Sequence, residues 1–325
     1  MSAQFPLGDK ELNIGILGMT EGNAHPFSWS AMYNNYDREK MLRWTGELYP
    51  SIPAYLGKQP DETLSIPGAH ITHICFTGYA DKTMAERCAE ASHIPNVVEN
   101  PEDMIGEVDA VICATDIGSE HIKRCRPFLE KGIPMFIDKP LTDNENDLKT
   151  FVQWHNEGAH FISSSSMRYN KSLEPFYENH YEFGKLRYIC SPMSKKWETY
   201  GIHAVEGMFN LLGRGFISVQ NTGTYESPMV HLYHKNGCYV DIPMGIGMAG
   251  LGIMILGEAG STLVTTQDSY YSFKKQMELF VRYLRTGIEP HPFEDTIEMI
   301  KIIIAGIRSR EEGGRKVLLS EIKEC

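Results

Sequence analysis

Five short apolar runs punctuate the first half of the chain: Leu12–Leu17, Ile71–Phe76, Val108–Ala114, Ile133–Ile137 and His160–Ser163. Between them, residues 81–92, 119–131 and 143–157 have helical composition. Near-continuous apolar strands separated by helices point to a parallel sheet covered on both faces. Because such crossovers are right-handed, the pattern predicts an α/β fold with a doubly wound, Rossmann-like sheet.

The texture changes after about residue 160. The segments starting at Leu186, Met229, Cys238 and Ser261 read as antiparallel strands, and two amphipathic helices follow. Met277, Phe280, Val281 and Leu284 share one helical face, with Gly287 placed as its C-terminal cap. Phe293, Ile297, Ile300, Ile304 and Ile307 recur at helical spacing in the second. The expected architecture is a Rossmann domain over residues 1–140, with an insertion near 37–68. An α+β domain with a mostly antiparallel open sheet follows over 141–325.

Composition narrows the function. The 325 residues carry a formal net charge of −11 and show no lysine or arginine cluster, so nucleic acid is not an expected partner. Seven scattered cysteines without a Cys-x-x-Cys pair give no zinc spacing and suit a reducing compartment. The first ten residues have no apolar core of the secretion type. The longest apolar run, Ile242–Leu256, is rich in glycine and falls short of the roughly 18–20 residues that span a bilayer. It reads as two buried strands and a turn, and the protein is expected in the cytoplasm and off the membrane.

The candidate chemistry lies in two residues. Lys139 ends the Ile133–Ile137 strand segment, at the edge of the sheet where open α/β folds bind ligands. His203 comes 64 residues later, in the amphipathic stretch Tyr200–Gly213. Both residue types can be tuned for proton transfer or charge stabilisation. The turn after the first strand reads Gly18-Met19-Thr20-Glu21-Gly22-Asn23, against the dinucleotide pattern Gly-x-Gly-x-x-Gly. Gly18 fits; Thr20 and Asn23 stand where the other glycines fall, and Pro26 suits the first turn of the next helix. The second strand ends near Gly78, 60 residues beyond Gly18, with Asp81 as either a ribose ligand or a helix cap. Lys82 is the one candidate for a 2′-phosphate, which leaves NAD and NADP both open. His203-x-x-Glu206 has no second histidine pair to complete a metal site, so no metal is expected.

Together these landmarks resemble the glucose–fructose oxidoreductase, inositol dehydrogenase and rhizopine-catabolism family (Gfo/Idh/MocA). Val108–Thr115 followed by His121 is similar to the family's strand and Ala-Thr-Pro turn. Ile137-Asp138-Lys139-Pro140 looks like its Glu-Lys-Pro signature, and Gly201-Ile-His203 its Gly-x-His helix start. Ile255–Ser261 and Arg308–Gly313 resemble its late turn and final helix.

The resemblance implies hydride transfer between NAD or NADP and a sugar, cyclitol or related hydroxyl or carbonyl compound. It makes Lys139 and His203 the catalytic pair, and Arg168 and Tyr169 substrate-binding residues. It also assigns Gly18, Met19, Thr20, Thr115, His121, Asp138, Lys139 and Pro140 to the cofactor. A homodimer or homotetramer built through the second sheet is a further implication. The chain departs from the pattern at Thr20, at Asp116 (in place of proline), at Asp138 (in place of glutamate) and at Thr199 (in place of an aspartate four residues before the histidine). Two alternatives stand beside a dehydrogenase: a cofactor-binding sensor without turnover, and an NAD-dependent sugar hydrolase or lyase.

Overall fold

The computed structural model describes residues 5–78, 81–249, 252–266 and 268–324. The first sheet is built from β1 (Leu12–Met19), β2 (Ala69–Gly78), β3 (Asn96–Val97), β4 (Ala110–Cys113), β5 (Met135–Ile137) and β6 (Phe161–Ser163). Its strands run parallel in the order β3-β2-β1-β4-β5-β6, which is the doubly wound Rossmann order. Alternate residues of these strands serve two separate cores. Leu17, Val111, Cys113, Met135 and Ile137 face one, while Ile14, Ile16, Ala110, Ile112 and Phe136 face the other. Burial on both faces explains the unbroken apolar runs in the sequence.

Helix α1 (His25–Asn34) follows β1, with Pro26 in its first turn. The insertion before β2 folds as three short helices, α2 (Arg38–Thr45), α3 (Ser51–Leu56) and α4 (Asp61–Leu64). Asp81 caps α5 (Lys82–Ala91), its carboxylate accepting the Met84 N–H at 3.0 Å. Helix α6 (His121–Leu129) joins β4 to β5, and α7 (Glu145–Asn156) joins β5 to β6. The first sheet therefore takes its last strand from beyond the boundary expected at residue 140, because Met135–Ile137 needs a partner on its outer edge and finds it in Phe161–Ser163.

After α8 (Glu174–Glu178), the second sheet contains β7 (Leu186–Cys190), β8 (Met193–Ser194), β9 (Phe216–Asn221), β10 (Met229–His234), β11 (Tyr239–Gly245), β12 (Ile253–Gly257), β13 (Ser261–Val264) and β14 (Val317–Leu318). The order is β13-β12-β7-β11-β10-β9-β14, with β8 beside β11; all pairs are antiparallel except β11 with β7 and β8. Helices α9 (Trp197–Leu212) and α11 (Phe293–Glu311) cover one face. Trp197 locks the two together: its indole N–H bonds the Ile303 carbonyl at 2.9 Å, and its ring fills the space that a Cβ on Gly306 would need. Helix α10 (Ser269–Thr286) returns to the Rossmann layer instead. Its Met277, Phe280, Val281 and Leu284 join the core of β1 and α1, and Gly287 caps it at φ +70°. No helix among the described residues is long and apolar enough to cross a membrane.

Candidate active site

The carboxyl ends of β1, β4 and β5 meet where the strand order reverses, the usual ligand position in such sheets. At the end of β1, Gly18 turns the chain at φ +85°, and a Cβ there would collide with the Thr115 methyl group beyond β4. Only glycine suits both the conformation and the close approach. Asp116 follows Thr115, and Asp138-Lys139-Pro140 follows β5. Helix α9 comes in from the other sheet and faces these turns with Thr199, Tyr200 and His203.

Lys139 is 2% exposed, and its ammonium has a defined set of neighbours. Nζ lies 3.5 Å from the Asp116 carboxylate, 3.3 Å from the Thr199 carbonyl oxygen and 4.6 Å from the centre of the Tyr200 ring. Burial alone would push the lysine toward its neutral form. Asp116, Asp138 and Tyr200 outweigh it, so its pKa is raised and the group is a cation. Burial likewise opposes charge on Asp116, yet Lys139 and the donated Thr20 hydroxyl leave that carboxyl below its ordinary value.

His203 is the neutral partner. Burial holds its pKa well below 6.5, and the positive charges of Lys139, His25 and Lys195 add to the effect. Its Nδ1 sits 2.6 Å from the Ser165 hydroxyl, and its ring packs edge-on against Tyr200 at 4.7 Å. Nε2 has no protein hydrogen bond among the described residues. A neutral imidazole with one free nitrogen beside a buried ammonium can take a hydroxyl proton while the cation steadies the oxygen left behind.

Arg168 and Glu206 stand behind this pair, not in it. Arg168 is 6% exposed and spends its guanidinium on Glu206 at 3.0 Å and Asn210 at 3.0 Å. The other Glu206 oxygen accepts the Ser165 N–H at 2.6 Å. Burial pushes the Glu206 carboxyl up to about 7 against the pull of Arg168. The structure thus places Arg168 as an ion-pair anchor for the Ser165 turn. Tyr169 is half-buried, its hydroxyl 3.4 Å from that of Ser164.

The cofactor candidates divide in the same way. Gly18, Met19, Thr20, Thr115, Asp138, Lys139 and Pro140 gather at the switch point. His121 is fully buried and bridges two backbone carbonyls, Thr115 at 2.8 Å and Leu141 at 3.0 Å, so it braces the turns and presents no nitrogen to a ligand. Sequence reasoning passed over His25 and Lys195, and read Asn23 only as a replaced glycine. One Asp138 oxygen lies 2.9 Å from His25 Nδ1 and 3.2 Å from the Asn23 amide; the other accepts the Lys139 N–H. Lys195, at φ +63°, reaches from the second sheet to the Gly22 carbonyl at 3.2 Å and the Tyr200 hydroxyl at 2.7 Å. Ser165 lay hidden in the Ser163–Ser166 run, which carries no motif. A histidine two residues after the loop was the one signal that could have pointed to His25.

These residues fit a dinucleotide. The switch point supplies the Gly18 turn, and the Thr20–Asn23 segment, closed by the Asn23 N–H to the Thr20 carbonyl at 3.0 Å, leads directly into the N-terminus of α1. The site itself holds a proton acceptor and a cation but no group that carries a hydride.

Comparison with known proteins agrees. Residues 50–163 match the Gfo/Idh/MocA family, described as an oxidoreductase family with an NAD-binding Rossmann fold. No curated protein matches the sequence. Among solved structures, myo-inositol 2-dehydrogenase from Lactobacillus plantarum is similar over 95% of this chain and 99% of its own, with 15% identity and a TM-score of 0.73. Scyllo-inositol dehydrogenase from Lactobacillus casei, with bound NAD(H) and scyllo-inositol, matches 96% of this chain and 100% of its own at 13% identity and a TM-score of 0.71. Myo-inositol dehydrogenase from the same organism, in complex with NAD(H) and myo-inositol, covers 94% and 96% at 15% identity and a TM-score of 0.71. At such identities the likeness establishes the two-sheet fold.

Proposed function

We propose that the chain, which matches the Gfo/Idh/MocA oxidoreductase family over residues 50–163, belongs to that family and transfers a hydride between NAD or NADP and a CH–OH group of a sugar or cyclitol. The convergence of Lys139 and His203 at the switch point carries this reading. Gly18, Met19, Thr20 and Thr115 would hold the dinucleotide, which when bound accepts or donates the hydride. Lys139 stabilises negative charge on the substrate oxygen, and His203 accepts its proton through Nε2. The deep burial of both groups strengthens these charge effects by excluding water. The inositol dehydrogenases of the same fold support a polyol-like substrate.

The test is a panel of cyclitols, sugars and nucleotide sugars offered with NAD⁺, NADP⁺ and their reduced forms, followed by nicotinamide absorbance in both directions. Turnover on a polyol that disappears in both Lys139→Met and His203→Asn confirms the reading; turnover retained in either variant removes that residue from the chemistry.

We further assign the chain to the cytoplasm as a homodimer or homotetramer. The six cysteines among the described residues are unpaired, which suits a reducing compartment, and the outer face of the second sheet presents Tyr239, Met229 and Leu263.

A further inference from the structure

Three positions at which the chain departs from the family pattern meet at one ammonium. The Thr20 hydroxyl donates to Asp116 Oδ1, Asp116 Oδ2 lies 3.5 Å from Lys139 Nζ, and that same Nζ donates to the Thr199 carbonyl at 3.3 Å. Asp116 is 5% exposed and comes from the turn after β4, whereas Lys139 comes from β5 and Thr199 from α9.

We propose that Asp116 is the positioning residue of Lys139: its carboxylate keeps the buried ammonium cationic and fixes its direction, and Thr20 fixes Asp116 in turn. The catalytic meaning of this rests on the oxidoreductase reading above. The argument starts from burial. An ammonium shut away from water is costly unless a counter-charge lies close by. The charged and titratable groups around Lys139 are Asp116 beyond β4, Asp138 beyond β5, Tyr200 and His203 on α9, Lys195 before α9 and His25 at the start of α1.

Of the two carboxylates, Asp138 is engaged elsewhere, by His25, Asn23 and the Lys139 backbone N–H. Among the described residues, Asp116 alone forms an ion pair with Nζ. Lys195 and His203 contribute nothing that stabilises a cation. Thr20 explains its own presence: a glycine there would leave the inner Asp116 oxygen without that donor. The position that weakens the dinucleotide fingerprint thus ties the loop after β1 to the lysine. Removing the Asp116 charge would remove the main counter-charge to burial and lower the pH at which Lys139 loses its proton.

The measurement is a titration of Lys139 in the full-length protein with ¹³C-labelled lysine, its resonance assigned with Lys139→Arg. The wild-type resonance is expected to remain that of a cation through pH 10. Asp116→Asn should bring its midpoint to a lower pH, and Asp116→Glu should restore it. Thr20→Val should move it the same way by less. An unchanged midpoint in Asp116→Asn, or in Thr20→Val should the first variant not fold, overturns the proposal. The same variants assayed for turnover should show the alkaline limb of kcat moving with the resonance. A resonance that shifts in a protein with no turnover on any panel substrate would sustain the positioning role and refute the oxidoreductase reading.

Discussion

The Ser165 hydroxyl lies 2.6 Å from Nδ1 of His203 and also accepts the Met167 backbone N–H at 3.0 Å. The hydroxyl is thereby anchored by a turn whose own N–H is held by Glu206, and Glu206 by Arg168. The imidazole is thus oriented by a chain of buried contacts, with Nε2 free of protein hydrogen bonds among the described residues. His203→Asn should lower kcat by about 10²–10⁴-fold, the usual range for a placed base. Ser165→Ala removes one hydrogen bond, typically about 0.5–1.5 kcal/mol, and should cost up to roughly tenfold in kcat with KM little changed. Steady-state kinetics decide it, and a Ser165→Ala enzyme with wild-type kcat would show that the hydroxyl does not orient the ring.

Lys139→Met should abolish turnover while the protein remains folded, but it leaves Asp116 buried without its cation. Breaking one side of a buried ion pair costs about 3–5 kcal/mol. Adding Asp116→Leu to Lys139→Met should return much of that loss, because two apolar side chains replace the pair. Urea unfolding of both single variants and the double variant measures the coupling. Additive losses would mean that the two charges do not support each other in the fold.

Much of this was legible in the chain. The Rossmann strands were, because burial on both faces writes them as continuous apolar runs, and Lys139 and His203 were visible from their positions relative to those runs. Short edge pieces such as Met193–Ser194 and Val317–Leu318 were not, since two residues leave no periodicity. The destination of α10 was also hidden: its apolar face is plain, but nothing in a face says which sheet it will cover. The site partners were hardest. Asp116 was visible only as a replaced proline, and its bond to Thr20 spans 96 residues. Arg168 had the composition of a substrate ligand and the geometry of a structural ion pair, a distinction made by Glu206 thirty-eight residues on.

The pH dependence of stability follows from His203. The fold holds this imidazole neutral far below 6.5, whereas the unfolded chain binds a proton near pH 6.5. Below that pH the unfolded state binds more protons, so stability is lost as pH falls from about 6.5. Glu206 acts oppositely. With its carboxyl raised to about 7, the stability it contributes is present below its unfolded value and lost as pH rises through about 7. The two are separable by mutation: His203→Asn should flatten the decline in Tm between pH 6.5 and 5. A variant whose Tm falls as steeply as wild type over that range would place the acid sensitivity elsewhere.

Glu21 is exposed in the loop after β1, next to the point where a pyrophosphate would meet the start of α1. Its negative charge should weaken dinucleotide binding. Glu21→Gly is expected to tighten binding of NAD⁺ or NADP⁺ by up to about fivefold, the scale of one surface charge at a helix start. Calorimetry at low salt would detect this, and an unchanged Kd would put Glu21 away from the phosphates.

The second sheet carries the last prediction. Its inner face, with Val230, Leu232, Val240, Ile242 and Ile255, is sealed by α9 and α11. Along β10 and β11 the alternate residues turn outward, and they are not the charged set expected of a free surface. Tyr233 and Tyr239 pack ring to ring at 4.8 Å, Tyr239 remains 60% exposed, and Met229 and Leu263 extend the patch. The Tyr188 hydroxyl and His231 both bind Asp241, so even the polar groups on this face are already paired. Isolated monomers rarely leave so much apolar surface in water, and a two-fold pairing of this face with itself would cover it. Light scattering coupled to size exclusion should give a mass of two or four times 36.8 kDa for the wild type at micromolar concentration. Tyr239→Glu, which places a charge at the centre of the patch, should reduce it to 36.8 kDa. A wild-type protein that already runs as a single chain would overturn the assignment.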